Sequence, residues 1–212
     1  MSQDTQGDTG ARQLRRLETF LDVSYAVLFV QFIMYLPKTE DMAWANLPYG
    51  LLSLLIDHWT ELLRLIIAVG LTLFSWNLSN TLLSPLERSD AKHTFLMLLH
   101  LILVCFFIFF AVSDPMLVTL SSPAGQSLCL AASGFVGIGA WYYARRKGFT
   151  RASLSDADKD NVARQAVVEP LTALTNTGFA FVGPIAWTAG WLVIPVALIA
   201  GRRQWERRRQ RA

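Results

Sequence analysis

Cysteine is nearly missing from this chain, and charge is scarce. The two cysteines, Cys105 and Cys129, both fall in apolar blocks, so there is no disulfide framework and no CxxC metal pair. Only 17% of the 212 residues are charged, against about 25% in a soluble domain. No Walker motif, HExxH or GxSxG occurs. The histidines His58, His93 and His100 are scattered, and a single histidine inside an apolar helix reads as a packing residue. With no nucleophile–base pair and no metal-ligand spacing, an enzyme is excluded and no cofactor or bound metal is expected. The net charge of +3 does not mark a nucleic-acid binder, because the basic residues sit beside hydrophobic segments. No internal repeat is evident.

What the chain has is long apolar runs. Hydrophobic residues make up 53% of it, and they are collected into blocks of membrane-spanning length. The hydropathy pattern predicts an all-α integral membrane protein with six helices, over 17–36, 54–78, 94–112, 124–144, 167–182 and 185–200. Gly183-Pro184 between the last two reads as a tight helical hairpin, since proline fixes φ and removes a donor. Helices satisfy every backbone donor within the segment, which lipid requires. Residues 1–11 are polar and read as a disordered tail, 12–203 as a single membrane domain, and 204–212 as a basic tail. The stretch 36–50, with Pro37, Pro48, Trp44 and Tyr49, reads as an interfacial lid on the outer side. The first apolar run exceeds a usual signal-peptide core and carries polar groups, so it is read as retained.

Charge orients this bundle. With the N-terminus cytoplasmic, the inner side receives Arg12, Arg15, Arg16, Arg88, Lys92, the 145–164 loop and the C-terminal arginines. All 19 basic residues except Lys38 and Arg64 are then inside, as the positive-inside rule requires. Both termini are expected to be cytoplasmic. Asp156, Asp158 and Asp160 alternate like a calcium loop, but the glycine and terminal glutamate of such a loop are missing. They read as a solvated cluster that starts a helix.

The first helix poses the sharpest question. It contains Asp22 near its start and Gln31 deep inside, although a charged side chain at a membrane centre costs about 2.5–3.5 kcal/mol on insertion scales. Phe20, Ser24, Val27, Gln31 and Met34 recur at spacings of four and three residues, which places them on one stripe. Asp22 lies off that stripe, and Arg16 is not on its face. The stripe is either a packing seam with Gln31 as interhelical glue or the lining of a water-filled path. Periodicity alone leaves both open.

The segment 16–22, Arg-Leu-Glu-Thr-Phe-Leu-Asp, resembles the first-helix signature R-x-x-x-F-S-D of the transmembrane protein 175 family of potassium channels, in its bacterial six-helix form. The segment 74–80 (FSWNLSN) is similar to that family's Trp- and Asn-containing stretch, and the closing WLVIPVALIAGRR looks like its last hairpin. The resemblance implies a homotetramer in a bacterial plasma membrane, conducting potassium or other monovalent cations passively along an axis lined by the first helix. Carried onto this chain, the constricting rings fall at Val27, Gln31 and Met34, with Val30 at a position that is often threonine. Arg16, Phe20, Asp22, Trp76 and Asn77 fall in the bracing motif. Leu21 stands where the motif has serine, and Gln31 where a large aliphatic residue is usual. Leu78 and Ser79 stand near where histidines are common. The alternatives are a proton-coupled secondary transporter, with Asp22 as relay, and a non-conducting membrane scaffold.

Overall fold

A computed structural model describes residues 2–34, 56, 59–114 and 117–209. The stretch read as a lid, 36–50, lies outside these, and so does the end of the basic tail at 210–212. Seven helices are present among the described residues: α1 Ser2–Met34, α2 Trp59–Leu83, α3 Ala91–Ser113, α4 Ser121–Arg146, α5 Asp156–Ala166, α6 Val168–Ala180 and α7 Pro184–Arg209. No strand forms among them, and the one β-bridge joins Leu86 to Thr150.

Among the described residues, three helices are long and apolar enough to cross a membrane: Leu62–Leu83, Ala91–Ser113 and Ser121–Arg146. At 1.5 Å per residue each is about 33–39 Å long, against about 30 Å of hydrocarbon. α3 shows why such a helix suits lipid on one side. Met97, His100, Val104 and Phe107 are buried, while Phe95, Ile102, Phe106 and Phe109 are exposed. Both faces follow the helical period, and the outer one is as apolar as the inner one.

The ends of the elements differ from the expectation in four places. The second helix ends at Leu83 rather than 78, while the expected start at 54–58 lies outside the described residues apart from 56. Ser79, Leu82 and Leu83 are buried against the bundle, and Pro85 follows the last turn. The 1–11 segment, read as a tail, is helical from Ser2 as the start of α1. Its Gly10 carbonyl accepts the Ser89 N–H at 3.1 Å, and Gln13 Nε2 donates to Thr94 Oγ1 at 3.1 Å. The final helix runs to Arg209, into the stretch read as a basic tail. The fifth segment is only 13 residues long as α6, about 20 Å and too short to cross hydrocarbon alone. Pro170 in its first turn has no N–H to give to α5, so one residue, Val167, separates the two helices.

The aspartate cluster starts α5. Ser155 and Asp158 form a reciprocal capping box, Asp160 pairs with Arg145, and Lys159 lies 3.3 Å from Asp156. Each of the three aspartates thus has a structural partner. At the α6–α7 turn, Gly183 has φ 141° and Pro184 opens α7, positions where glycine's freedom and proline's missing donor each fit.

One end of the bundle gathers the start of α1, the 84–90 loop and the 147–155 loop. Glu87 N–H donates to the Phe149 carbonyl at 2.8 Å, and Arg151 N–H to the Pro85 carbonyl at 2.9 Å. Arg88 lies over the Phe149 ring and Lys92 over the Tyr143 ring. Tyr143 O–H donates to Asp90 Oδ2 at 2.7 Å, while Asp90 Oδ1 caps α3 through His93 N–H at 2.8 Å. Burial alone pushes the Asp90 carboxyl up. The bonds from His93 N–H and the Tyr143 hydroxyl, with His93 and Lys147 nearby, outweigh it and hold the group below its ordinary value.

Candidate functional site: the two faces of the first helix

α1 has two faces with different chemistry. Leu14, Leu17, Leu21, Tyr25 and Phe32 are buried, at spacings of three, four, four and seven residues. They form the stripe that packs on α2 and α3, and Leu28 and Phe29 extend it. The other face carries Phe20, Val23, Val27, Val30, Gln31 and Met34, all exposed, with Val27 at 53% and Met34 at 60%. This is the stripe that the spacing singled out. It is not the intrachain packing seam, because the chain's own core lies on the opposite side. Ser24 is half-buried on its edge, and its hydroxyl donates to the Phe20 carbonyl at 2.7 Å, one turn back.

The bracing residues separate. Trp76 Nε1 donates to Asp22 Oδ1 at 2.8 Å, tying α1 to α2 across 54 residues of sequence. Arg16 is exposed and has no hydrogen bond or ion pair among the described residues, so Arg16 and Asp22 are not brought together within one chain. Phe20 and Asn77 are also exposed. Leu21, at the position where the resemblance has serine, is buried in the apolar seam. A relay role for Asp22 gains nothing from its partner, since an indole N–H does not titrate in water.

A second polar layer, in the core, was not read from the sequence. Tyr25 Oη lies 3.1 Å from His100 Nε2 and 3.3 Å from Ser79 Oγ. Ser79 Oγ lies 3.0 Å from the same His100 nitrogen and donates to the Ser75 carbonyl at 3.0 Å. His100 Nδ1 lies 2.9 Å from the Ser133 carbonyl. Ser75 Oγ donates to Glu169 Oε1 at 2.7 Å. All six residues are buried, and they come from α1, α2, α3, α4 and α6. Glu169 Oε2 has no partner among the described residues. The available signals were Glu169 itself, an acid inside an apolar run, and the i, i+4 pair Ser75 and Ser79. His100 is a satisfied residue with partners on both ring nitrogens.

Close approach of backbones sets the positions of α4, α6 and α7. A Cβ at Gly134 would lie 2.8 Å from the Pro170 ring, and Asn176 occupies the space that a side chain at Gly190 would need. Asn176 Nδ2 donates to the Trp187 carbonyl at 3.1 Å, and Trp187 Nε1 to Ser127 Oγ at 2.7 Å.

With this geometry in place, the comparisons are direct. The structure superimposes on the crystal structure of a lysosomal potassium-selective channel TMEM175 homolog from Chamaesiphon minutus. The TM-score is 0.71, and the match covers 89% of this chain and 97% of that one. The chain has that channel's fold. Sequence identity over the match is 18%, so the likeness is one of architecture. The neighbour is an ion channel and not an enzyme. No family model matches the sequence, and no curated protein matches it.

Proposed function

We propose that this chain is the subunit of a passive cation channel in a bacterial plasma membrane, with potassium as a permeant ion. Four copies present Ser24, Val27, Val30, Gln31 and Met34 of α1 to a common axis. The observation that carries this reading is the exposed face of α1: the core of the described residues lies on its other side, and an amide sits on it between the apolar side chains Val27 and Met34. The channel fold of the structural neighbour supports the same reading. So does the collection of Arg88, Lys92 and Lys147 at the end of the bundle that holds the start of α1, which suits cytoplasmic termini.

In this arrangement Val27 and Met34 restrict the path, since narrow apolar rings expel water and ions with it. Four Gln31 amides offer carbonyl oxygens and N–H donors at the middle level, and water around them removes the cost of placing an amide in lipid. Selectivity rests on side chains at this constriction, because no filter loop is part of the reading. The test is cation flux from liposomes containing the purified protein, potassium against sodium and against protons, with the oligomer measured in the same preparation. Potassium flux from a tetramer is expected. A stable monomer, or a tetramer that passes no cation, overturns the proposal.

A further inference from the structure

The seam that holds α1 in the bundle is nearly all hydrocarbon. Among its fully buried residues Tyr25 alone has a polar side chain. In lipid, an apolar seam has little preference for one rotation or depth, because lipid tails are as apolar as the leucines they replace. It selects a face and leaves small slips cheap. A directional bond removes that freedom. Near its start α1 has the Gly10–Ser89 and Gln13–Thr94 bonds; further along, beside the exposed stripe, the described residues give it the exposed Asp22–Trp76 contact and, one turn on, the buried Tyr25 hydroxyl.

The partners of the hydroxyl assign its proton. The Ser133 carbonyl can only accept, and the Ser133 hydroxyl, 2.8 Å from the same Nδ1, has the His100 carbonyl to donate to at 3.2 Å; on that pairing the His100 proton sits on Nδ1 and Nε2 is an acceptor. Ser79 has an acceptor of its own in the Ser75 carbonyl. That leaves Tyr25 O–H as the donor to Nε2. The imidazole is fully buried, and Ser133 on α4 holds its far side. The hydroxyl is therefore anchored to a ring that is itself fixed between α3 and α4, rather than to a mobile side chain.

We propose that Tyr25 is a positioning residue. Its bond to the His100–Ser133 pair sets the rotation of α1 and thereby decides which α1 side chains form the exposed stripe. The consequence for conduction rests on the channel reading above, since that stripe is there the wall of the path. The rotation itself does not depend on it.

The experiment is spin labelling of single cysteines placed along 23–34 of the full chain, position 25 excepted, in a Cys105→Ala, Cys129→Ala background, after reconstitution in liposomes. Accessibility to oxygen reports lipid, and accessibility to a water-soluble nickel complex reports water. Their summed periodicity gives the phase of the helix. In the background chain the maxima are expected at 27, 31 and 34 and the minima at 28 and 32. Tyr25→Phe, which removes one oxygen, is expected to shift that phase by at least roughly 20°, a fifth of the 100° step per residue, or to flatten it. His100→Phe is expected to do the same, and Ser79→Ala less. Thr72→Val deletes a buried hydroxyl that bonds only its own helix, at the Ala68 carbonyl, and is expected to leave the phase in place.

A phase unchanged in both Tyr25→Phe and His100→Phe overturns the proposal, and so does an equal shift in Thr72→Val. If the maxima respond to oxygen and not to nickel, the stripe faces lipid. The channel reading then fails, while the positioning role is still judged by the phase.

Discussion

The carboxylate of Asp22 and the indole of Trp76 meet at 2.8 Å, Oδ1 accepting from Nε1, although 54 residues separate them. The pair joins the first helix to the second on the side where both residues reach the surface of the chain. It turns one of the two polar anomalies of α1 into a structural contact. The other, Gln31, remains on the uncovered face.

The Asp22–Trp76 bond makes a first prediction. Trp76→Phe removes the donor and Asp22→Ala the acceptor, while Asp22→Asn keeps an oxygen at the same place. A hydrogen bond to a charged group contributes about 1.5–3 kcal/mol. Exposure of both partners lowers the expected coupling to about 1 kcal/mol or less. A double-mutant cycle on thermal unfolding of the detergent-solubilised protein measures it. Asp22→Asn should lie closer to the wild type than Asp22→Ala, and additive losses would show that the bond does not contribute.

Gln31→Leu makes the exposed stripe of α1 continuously apolar. Since apolar constrictions lose water, cation flux through reconstituted protein is expected to fall, with assembly unaffected. Flux and potassium preference that both match wild type would remove Gln31 from the conducting path.

Ser75→Ala takes the hydroxyl from Glu169 Oε1 and leaves a second oxygen of a buried carboxyl without a partner. Orphaning a buried polar group costs about 1–3 kcal/mol, so the melting temperature should drop clearly. Glu169→Gln retains a carbonyl oxygen for Ser75 and should be milder than Glu169→Ala. The same melting assay ranks all three.

Gly134→Ala brings a methyl group to 2.8 Å from the Pro170 ring. A ring on a fixed backbone cannot turn aside, so overpacking of about 1–3 kcal/mol is expected. Gly139→Ala, on the same helix with open space around it, is the matched control and should be neutral or slightly stabilising.

Asp114 offers a pH test outside the spans. Its carboxylate accepts from Val118 N–H at 2.9 Å, and from Thr119 N–H and Oγ1 at 2.9 and 2.8 Å. Burial pushes this group up, but those three bonds and the charge of Arg64 outweigh it and hold it below its ordinary value of 3.8. A depressed carboxylate stabilises the fold above the unfolded value and loses that contribution as pH falls through the folded one. Wild type should therefore lose more stability than Asp114→Asn between about pH 5 and pH 3, and their melting curves should converge there. Parallel curves would show that the group does not titrate with folding.

How far the sequence reached depends on the length scale of each feature. Membrane class, the third and fourth helices, the Gly183-Pro184 hairpin and the period of the α1 stripe are properties of contiguous residues, and hydropathy and spacing report them. Which side of α1 faces the core is different. A membrane helix is apolar toward protein and toward lipid alike, so Phe20 and Leu21 look equivalent in the sequence although one is exposed and the other buried. Only the placement of neighbouring helices distinguishes them. The same holds for the polar layer. Tyr25 with His100, and Ser75 with Glu169, are 75 and 94 residues apart. No local pattern encodes their meeting, and tertiary packing alone decides that each buried hydroxyl finds its acceptor.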